Sequence, residues 1–523
     1  MRKAASWIIA LTLLFTTTGG AAAVELSKNP QEALYQQIQA GAYDIFTNYV
    51  DGYTLQIAPG MEVDMSWSKI GTSLETPDQR IEIYRQYVGD GLESYLSYSN
   101  GFLANETDHQ QVEQGWESYG ENHVFVTRWM RAPLSGVPGD RNYYTVLDLP
   151  VGEYCYTIVV KTAVPIQQLG GYANLVSSFT TFYPYQSGEN VIRTGRSPEE
   201  RNWNEETEHF YHQYFGPESQ LTWGLYEPQT NYDYGTGTYD FGQIAYYESL
   251  FKYEFPVVLN YSEFENKTHH PNLKKRLEQA WEKGKVLELT LQTNRGSSGN
   301  QVYQVLQGEY DMFLRDYANT IRDFGHPVLF RLANEMNGDW CPYSGYHTSR
   351  DPEIYREFYQ YVFRIFEEAG VDNVIYIWNP NSESFPDFKW NHSYQYYPGD
   401  AYVDVVGMTA YNTGTYYWQV GERWSTFEAL YEDLYHEYSH QFAMPLMITE
   451  FGSASVGGDK SQWIEEMFAK IYALPGIKMA IWWDGNDYDG NSISRNYTID
   501  ETPEILDTFR NHFDPPWHWN AFA

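Results

Sequence analysis

Apolar and polar positions change their spacing near residue 200 and divide the chain into two parts. Between about residues 50 and 185 the apolar runs are short, and Gly, Pro, Asn and Asp separate them. Runs of this kind are typical of β-strands joined by turns. The clearest are GYTLQIAPG (52–60), RIEIYRQYV (80–88), NHVFVTRWM (122–130) and EYCYTIVVKTAV (153–164). The pattern predicts a small β-rich domain with a sandwich architecture.

From Leu221 onward, short apolar runs alternate with segments of helical spacing. This alternation predicts a parallel sheet with crossover helices. The predicted strands cover 221–228, 256–264, 286–294, 327–335, 373–381, 403–412, 445–452 and 477–486. Eight strands in about 280 residues favour a closed (β/α)8 TIM barrel, and a doubly wound open sheet is the alternative.

Two of the intervening helices have clear boundaries. Asp351 can cap a helix that begins at Pro352 and that Gly370 ends. Before the fourth strand, an apolar stripe at helical spacing ends at Gly325; it consists of Phe313, Tyr317, Ile321 and Phe324. The segment 381–400 between the fifth and sixth strands lacks a clear helix, which makes it the weakest step of the barrel pattern.

The N-terminus has the pattern of a secretory signal peptide. Arg2 and Lys3 precede the apolar stretch AASWIIALTLLF (4–15), and small residues up to Ala23 suit a cleavage site. We therefore expect a secreted, extracellular protein that has no membrane association after cleavage. The predicted organisation is a signal peptide (1–23), a β-rich domain (24–200), a linker or docking segment (201–220) and the barrel (221–523).

Composition and charge narrow the class of partner. The 523 residues include 34 basic and 69 acidic side chains, and the net charge of −35 repels the phosphate backbone of nucleic acids. An aromatic content of 18% and an apolar content of 42% indicate a globular, aromatic-rich protein, and we expect a monomer. The two cysteines, Cys155 and Cys341, are expected to be free or buried thiols.

Two predicted barrel strands end in a carboxylate, the fourth at Glu335 and the seventh at Glu450. Reacting groups of such barrels lie at the C-terminal ends of the strands, so both side chains are predicted to meet at one mouth. Two carboxyl groups about 5 to 5.5 Å apart are what a retaining glycosidase needs. Either glutamate alone is more often solvated or paired with an arginine. Together they predict a catalytic pair.

Other side chains near the same strand ends are candidates for binding a sugar. Arg331 is expected to share a strand face with Glu335 and to orient a carboxylate, with a structural ion pair as its alternative. Aromatic rings offer flat apolar faces to sugars, although each alone is more often core packing. The aromatic candidates are Trp340, Tyr343, Tyr346, Trp378, Tyr411, Trp482 and Trp483.

RLANEMNGDW (331–340) resembles the acid/base motif of glycoside hydrolase family 26, and PLMITEFG (445–452) resembles its nucleophile motif. The resemblance covers roughly residues 221–515. It implies a clan A barrel and a retaining mechanism, with Glu335 as acid/base and Glu450 as nucleophile. It also implies that Tyr411 bonds the nucleophile and that Trp483 floors the central subsite. We further expect Asn334, next to the acid/base, to contact the substrate. The family usually has His immediately before the acid/base, where this chain has Asn334.

The sequence therefore predicts a secreted retaining endo-β-glycanase whose partner is a polysaccharide. The resemblance implies β-1,4-mannan first, with a β-1,3-1,4-glucan or a β-1,3-xylan as alternatives. A non-catalytic polysaccharide-binding envelope protein is the alternative from another class, and retention of both glutamates argues against it. We expect no cofactor and no metal, because His269 and His270 do not form an HExxH pair and the acidic segment 484–492 lacks the calcium-loop register.

Overall fold

The computed structural model describes residues 33–190, 201–228, 232–233, 238–294 and 299–513, so the predicted signal peptide lies outside the described residues. The N-terminal domain contains two helices, α1 (Leu92–Ser99) and α2 (Ala173–Ser177). Its strands are β1 (Tyr35–Ala40), β2 (Tyr43–Asn48), β3 (Tyr53–Ile57), β4 (Glu62–Asp64), β5 (Thr72–Thr76), β6 (Gln79–Tyr87), β7 (Gln110–Tyr119), β8 (Asn122–Met130), β9 (Tyr143–Val151), β10 (Tyr154–Thr162) and β11 (Thr180–Thr181).

These strands form two antiparallel sheets. One has the order β1-β2-β3-β11 and the other has the order β4-β5-β6-β10-β9-β8-β7. Alternate residues of the larger sheet, such as Ile81 and Leu147, share a buried cluster with Phe46 and Leu55 of the smaller sheet. The predicted β-rich N-terminal region is confirmed, and its two sheets pack face to face.

The seven-stranded sheet is buried on its second face as well. Trp129, Tyr144 and Val159 on that face belong to the same hydrophobic cluster as Leu306 and Tyr310 of the following domain. A strand that packs on both faces has no solvent-facing side. This explains why consecutive residues of β10, from Cys155 to Thr162, are buried instead of every second one.

Residues 222–483 contain a closed barrel of eight parallel strands, which confirms the predicted fold class. Its strands are β12 (Thr222–Tyr226), β15 (Val257–Glu263), β16 (Val286–Gln292), β17 (Val328–Leu332), β18 (Val374–Trp378), β19 (Val405–Asn412), β20 (Leu446–Ser453) and β21 (Ile477–Trp483). Two short strand pairs lie outside the barrel: β13 (Tyr232–Asp233) with β14 (Thr238–Tyr239), and β22 (Asn486–Asp489) with β23 (Ser492–Asn496). All eight predicted strands are present.

Helices surround the barrel. They are α4 (Gly242–Phe251), α5 (Leu273–Glu282), α6 (Gln301–Leu306), α7 (Asp311–Phe324), α8 (Pro352–Glu368), α9 (Phe427–Gln441), α10 (Lys460–Ile471) and α11 (Pro503–Phe513). The Asp351 side chain caps α8, and Gly325, at a φ of 74°, ends α7, both as predicted. Between β18 and β19 the chain forms short 3-10 turns at 389–391, 393–396 and 400–402, in agreement with the missing helix signal.

A further helix, α3 (Glu205–Phe215), lies where the sequence predicted a linker or docking segment. Its Phe210 and Tyr214 pack with Val257 and Val405, which begin two barrel strands. The Asn204 side chain caps the helix by accepting from the backbone N–H of Thr207. Helix α3 therefore docks on the barrel and closes its N-terminal end.

Candidate active site

The fourth barrel strand turns sharply before it delivers its carboxylate. Strand β17 ends at Leu332, and Ala333 and Glu335 then have φ angles of 50° and 55°. These angles lie in the left-handed region, which side chains other than glycine rarely adopt. A hydrogen bond from the Glu335 backbone N–H to the carbonyl of Asn379 (2.8 Å) fixes the turn. The predicted strand alternation between Arg331 and Glu335 therefore does not extend to Glu335.

A β-bulge places the second carboxylate in the barrel. Along β20, Met447 packs in the barrel interior and Ile448 packs outside it, so simple alternation would turn Glu450 outward. The register of β20 shifts between Ile448 and Phe451 against β21 and again opposite Thr409 of β19. A bulge adds one residue to one strand and re-aims the side chains that follow. Glu450 consequently points inward, where it is 3% exposed.

Three donors hold the Glu450 carboxylate. Asn334 Nδ2 donates to Oε1 (3.0 Å), and an Arg331 guanidinium nitrogen, Nη1, lies 3.4 Å from the same oxygen. The Tyr261 hydroxyl donates to Oε2. Asn334 is itself fixed by Gln292, whose Nε2 donates to Asn334 Oδ1 (2.7 Å). This set of donors holds the carboxylate in one orientation.

Arg331 is fully buried below Glu450 and pairs with a second buried carboxylate, Glu288 on β16. Arg331 Nε lies 2.7 Å from Glu288 Oε1 and donates to Thr290 Oγ1 (2.8 Å), while Nη1 donates to Asn379 Oδ1 (2.8 Å). Burial raises the pKa of Glu288 to about 7, against the lowering effect of Arg331 and with a further contribution from the charge of Glu450. The arginine therefore orients Glu450 and not Glu335.

Glu335 lies in a different environment. Burial and, next, the charge of Glu450 raise the pKa of Glu335 to about 8, and Asp487 contributes in the same direction. The Trp340 indole N–H donates to Glu335 Oε2 (3.2 Å) and opposes the rise, as does Arg331. Near neutral pH this carboxyl group holds a proton, whereas Glu450 faces three donors. The two carboxyl groups are thereby suited to opposite chemical roles.

Aromatic rings line the mouth beside the two glutamates. Trp483 stacks on Tyr226 with 5.2 Å between ring centroids, and Tyr411 meets Trp483 edge-on at 6.2 Å. Trp483 and Tyr411 are half-buried, and Trp340 is 42% exposed. These rings present apolar faces of the size of a sugar ring.

Several predicted site residues lie elsewhere. Trp378 is fully buried and faces away from the barrel interior. It packs on Tyr397 and Phe442 outside the barrel, so its assignment to the substrate site is wrong. Trp482 and Tyr343 are also buried core residues, although the Tyr343 hydroxyl donates to the Asn334 carbonyl oxygen (2.7 Å).

Two residues of the site, Tyr261 and Glu288, were not predicted from the sequence. The hydrogen bond to Glu450 that the resemblance assigned to Tyr411 is made by Tyr261. The available signal was a tyrosine in VVLNYSE and a glutamate in VLELTLQ, which are polar groups inside largely buried barrel strands. Such groups need a buried partner, and sequence alone does not show which one.

The N-terminal domain contacts the segment that carries Glu335, residues 333–351, which we call the acid/base loop. Arg350 Nη2 donates to the Tyr95 hydroxyl (2.8 Å) and lies 3.6 Å from Asp148 Oδ1. Lys161 Nζ lies 2.6 Å from Asp351 Oδ1. Ser349 and Arg350 have φ angles of 62° and 53°, so these contacts hold a strained backbone.

Among the residues that the structure describes, no group of three or more His, Cys, Asp or Glu side chains could hold a metal ion. Cys155 and Cys341 are both buried, and neither forms a disulfide. No helix within the described ranges is long and apolar enough to cross a membrane.

Comparisons with known proteins agree with the family resemblance. Residues 242–486 match the family model of glycosyl hydrolase family 26, so the predicted resemblance is confirmed. Endoglucanase H of Acetivibrio thermocellus is 29% identical over 211 residues, which cover 39% of this chain and 22% of that protein. A mannan endo-1,4-beta-mannosidase of Bacillus subtilis is 34% identical over 108 residues, which cover 20% of this chain and 28% of the relative.

A beta-1,3-xylanase of an Alcaligenes species is 32% identical over 113 residues, which cover 22% of each chain. The aligned segments thus span between 22% and 28% of the length of these three relatives. The match to the family model lies within the barrel domain and includes Glu335 and Glu450.

Proposed function

Because residues 242–486 of this chain are a glycoside hydrolase family 26-like domain, we propose that the protein is a secreted retaining endo-β-glycanase acting on β-1,4-mannan. The observation that supports this proposal most strongly is the pair of carboxyl groups in opposite environments. Glu450 receives hydrogen bonds from Asn334 and Tyr261, whereas burial and the Glu450 charge keep Glu335 protonated near neutral pH. A nucleophile and an acid differ in this way.

In the first step, Glu450 attacks the anomeric carbon. A bond forms between a carboxylate oxygen and that carbon while the bond to the glycosidic oxygen breaks, and Glu335 gives its proton to the departing oxygen. The product is a covalent glycosyl-enzyme. Asn334, Tyr261 and Arg331 keep the attacking carboxylate in place without reorganisation during the step.

In the second step, water completes the hydrolysis. Glu335, now ionised, removes a proton from a water molecule whose oxygen attacks the anomeric carbon, and the bond to Glu450 breaks. Both glutamates return to their starting protonation states, and the anomeric configuration is retained after two inversions. Trp483 supplies an apolar face on which the reacting sugar can rest.

The preference for β-1,4-mannan is supported by similarity to mannan endo-1,4-beta-mannosidases. Similarity to a beta-1,3-xylanase favours β-1,3-xylan as the second candidate. Secretion is supported by the signal-peptide pattern of residues 1–23.

The purified protein should be tested on β-1,4-mannan, β-1,3-xylan, mixed-linkage β-glucan and cellulose by release of reducing ends. We expect the highest rate on mannan, with early products of mixed length as endo-cleavage gives. NMR spectra in the first minutes should show the product anomer of the same configuration as the substrate. An initial product of inverted configuration, or turnover of none of the four polysaccharides, would refute the proposal.

The Glu450→Ala variant removes the proposed nucleophile. We expect a folded protein whose turnover falls by at least about 10⁴-fold, because the covalent intermediate cannot form. Glu288→Gln is a comparison variant, in which an amide of the same size replaces another buried carboxyl group of the barrel. Near wild-type activity of Glu450→Ala on mannan would show that the nucleophile lies elsewhere.

A further inference from the structure

Three exposed aromatic rings from distant parts of the chain lie around the acid/base loop. They are Trp340 of that loop (42% exposed), Phe385 between β18 and β19 (44% exposed) and Tyr98 of α1 (39% exposed). The ring centroids of Trp340 and Phe385 are 5.3 Å apart. Single exposed aromatic residues are ordinary, but a group of them beside a catalytic cleft indicates a binding surface.

The position of Trp340 shows on which side of the cleft this surface lies. Its indole N–H donates to Glu335 Oε2 (3.2 Å), so the group of exposed aromatic rings begins next to the proposed acid. In a retaining glycosidase the acid protonates the oxygen of the departing sugar. The surface beyond Glu335 therefore faces the leaving-group side of the substrate.

We propose that the N-terminal domain extends the substrate site, with Tyr98 and the neighbouring Asp339 binding the leaving-group sugars of the β-linked polysaccharide. This inference rests on the proposed function and adds a subsite from a second domain. The Tyr98 hydroxyl donates to Asp339 Oδ2, and Asp339 directly precedes Trp340. Tyr98 supplies a ring face, and the Asp339 carboxylate has about four acceptor sites, enough to bind a sugar hydroxyl as well.

Contacts with two neighbouring aromatic rings hold the ring of Tyr98 in place. The ring lies 5.0 Å from that of Tyr346 and 6.1 Å from that of Phe388, measured between centroids. One turn earlier in α1, the Tyr95 hydroxyl accepts from Arg350 Nη2 (2.8 Å). A Cβ on Gly101, just after the helix, would lie 2.6 Å from the Tyr346 hydroxyl, so the two segments approach as closely as glycine permits.

A preformed aromatic surface binds sugars at a low cost in conformational entropy. Because α1 and the acid/base loop are joined by Tyr98 and Tyr95, a sugar on this surface would be held in register with Glu335. A longer leaving group would then gain binding energy that a short one cannot.

Tyr98→Ala and Tyr98→Phe should be compared with the wild-type protein on manno-oligosaccharides of increasing length and on an aryl mannoside. Tyr183→Ala is the matched control, since Tyr183 belongs to the same domain and is 90% exposed. We expect Tyr98→Ala to lower kcat/KM on long chains by about 3- to 10-fold, the range of a lost aromatic contact. The loss on the aryl mannoside, whose leaving group is too short to reach Tyr98, should be at least about threefold smaller.

Tyr98→Phe keeps the ring and should retain most of the turnover on long chains. The cleavage pattern of an end-labelled oligosaccharide should also shift in Tyr98→Ala, because fewer sugars are held on the leaving-group side. Equal losses on both substrates, an unchanged cleavage pattern, or a loss in Tyr98→Phe as large as in Tyr98→Ala would overturn the inference. Failure of the proposed function is distinguishable, because the wild-type protein would then turn over neither substrate.

Discussion

At the scale of single residues, Glu335 and Glu450 occupy one barrel mouth, yet their carboxyl groups meet different neighbours. Glu450 accepts from Asn334 and Tyr261, while Glu335 accepts from the Trp340 indole N–H and is repelled by the charge of Glu450. Local backbone geometry orients the two carboxyl groups. The left-handed turn at Glu335 and the bulge before Glu450 point both groups into the mouth.

Replacement of Glu335 by alanine should separate its two proposed roles. On a polysaccharide, whose departing alkoxide needs a proton, we expect kcat/KM to fall by about 10²- to 10⁴-fold. On an activated aryl glycoside the first step needs little acid, so the intermediate on Glu450 should accumulate. Added azide should then restore turnover, measured by release of the aryl group. Equal losses on both substrates without azide rescue would mean that Glu335 is structural.

The pKa of Glu335 predicts how activity depends on pH. Since burial and Glu450 raise this pKa to about 8, kcat/KM should fall above about pH 8 as the acid loses its proton. In Trp340→Phe the indole donor that stabilises the charged form is lost, so this alkaline limb should move to higher pH. In Asp487→Asn a negative neighbour is lost, so the limb should move to lower pH. Shifts of both variants in the same direction would contradict the assignment of Glu335 as the acid.

At the scale of elements, the predictable parts are those that depend on local pattern. All eight barrel strands are buried runs whose residues pack on the core, and the caps of α7 and α8 depend on Gly325 and Asp351. The unpredictable parts depend on partners distant in sequence. Trp378 and Tyr261 follow the plain alternation of their strands, but alternation alone does not show which of the two faces is the barrel interior. Glu450 points inward because of the bulge in β20, and periodicity carries no record of a bulge.

The acid/base loop is joined to the N-terminal domain by a buried ion cluster. Lys161 of β10 lies within 2.9 Å of carboxylate oxygens from Glu82, Asp351 and Glu353, and it is 1% exposed. Asp351 is also the N-cap of α8 and accepts from the Tyr144 hydroxyl (2.9 Å). The cluster thus fixes the point where the acid/base loop enters its helix.

Lys161→Met should therefore destabilise the protein strongly. It leaves buried carboxylates without their cation, a change that costs about 3 to 5 kcal/mol. Urea unfolding followed by tryptophan fluorescence measures the difference. Lys470→Met is the matched control, because Lys470 and Glu428 pair on the surface at 50% and 48% exposure, and its unfolding midpoint should stay close to that of the wild-type protein. Equal midpoints for the two variants would show that the cluster does not hold the domains together.

At the scale of the whole molecule, the two domains share one hydrophobic core. Trp129 and Tyr144 of the seven-stranded sheet belong to the cluster that also contains Leu306 and Tyr310 of the barrel domain. The change in the spacing of apolar positions near residue 200 correctly separated a β-rich part from a part in which strands and helices alternate. It did not indicate this interface. The apolar sequence of a strand shows that the strand is buried, but not whether its own domain or a second domain covers it.

A truncated chain that begins at residue 201 tests the shared core. We expect this barrel fragment to aggregate or to unfold at a clearly lower temperature than the full chain, since it exposes the apolar surface that packs on Trp129 and Tyr144. Light scattering and thermal unfolding by circular dichroism measure both properties. A monomeric fragment with the thermal stability and activity of the full chain would show that the domains are independent.

The two-sided burial of the seven-stranded sheet also has a consequence for synthesis. All seven of its strands have been synthesised once Thr162 has been added, but Leu306 and Tyr310, which cover its second face, follow more than a hundred residues later. During that interval the newborn sheet presents Trp129, Tyr144 and Val159 to its surroundings. Such transiently exposed apolar surface is prone to aggregation. The N-terminal domain therefore depends on protection from aggregation until the barrel segment that covers this face has been synthesised.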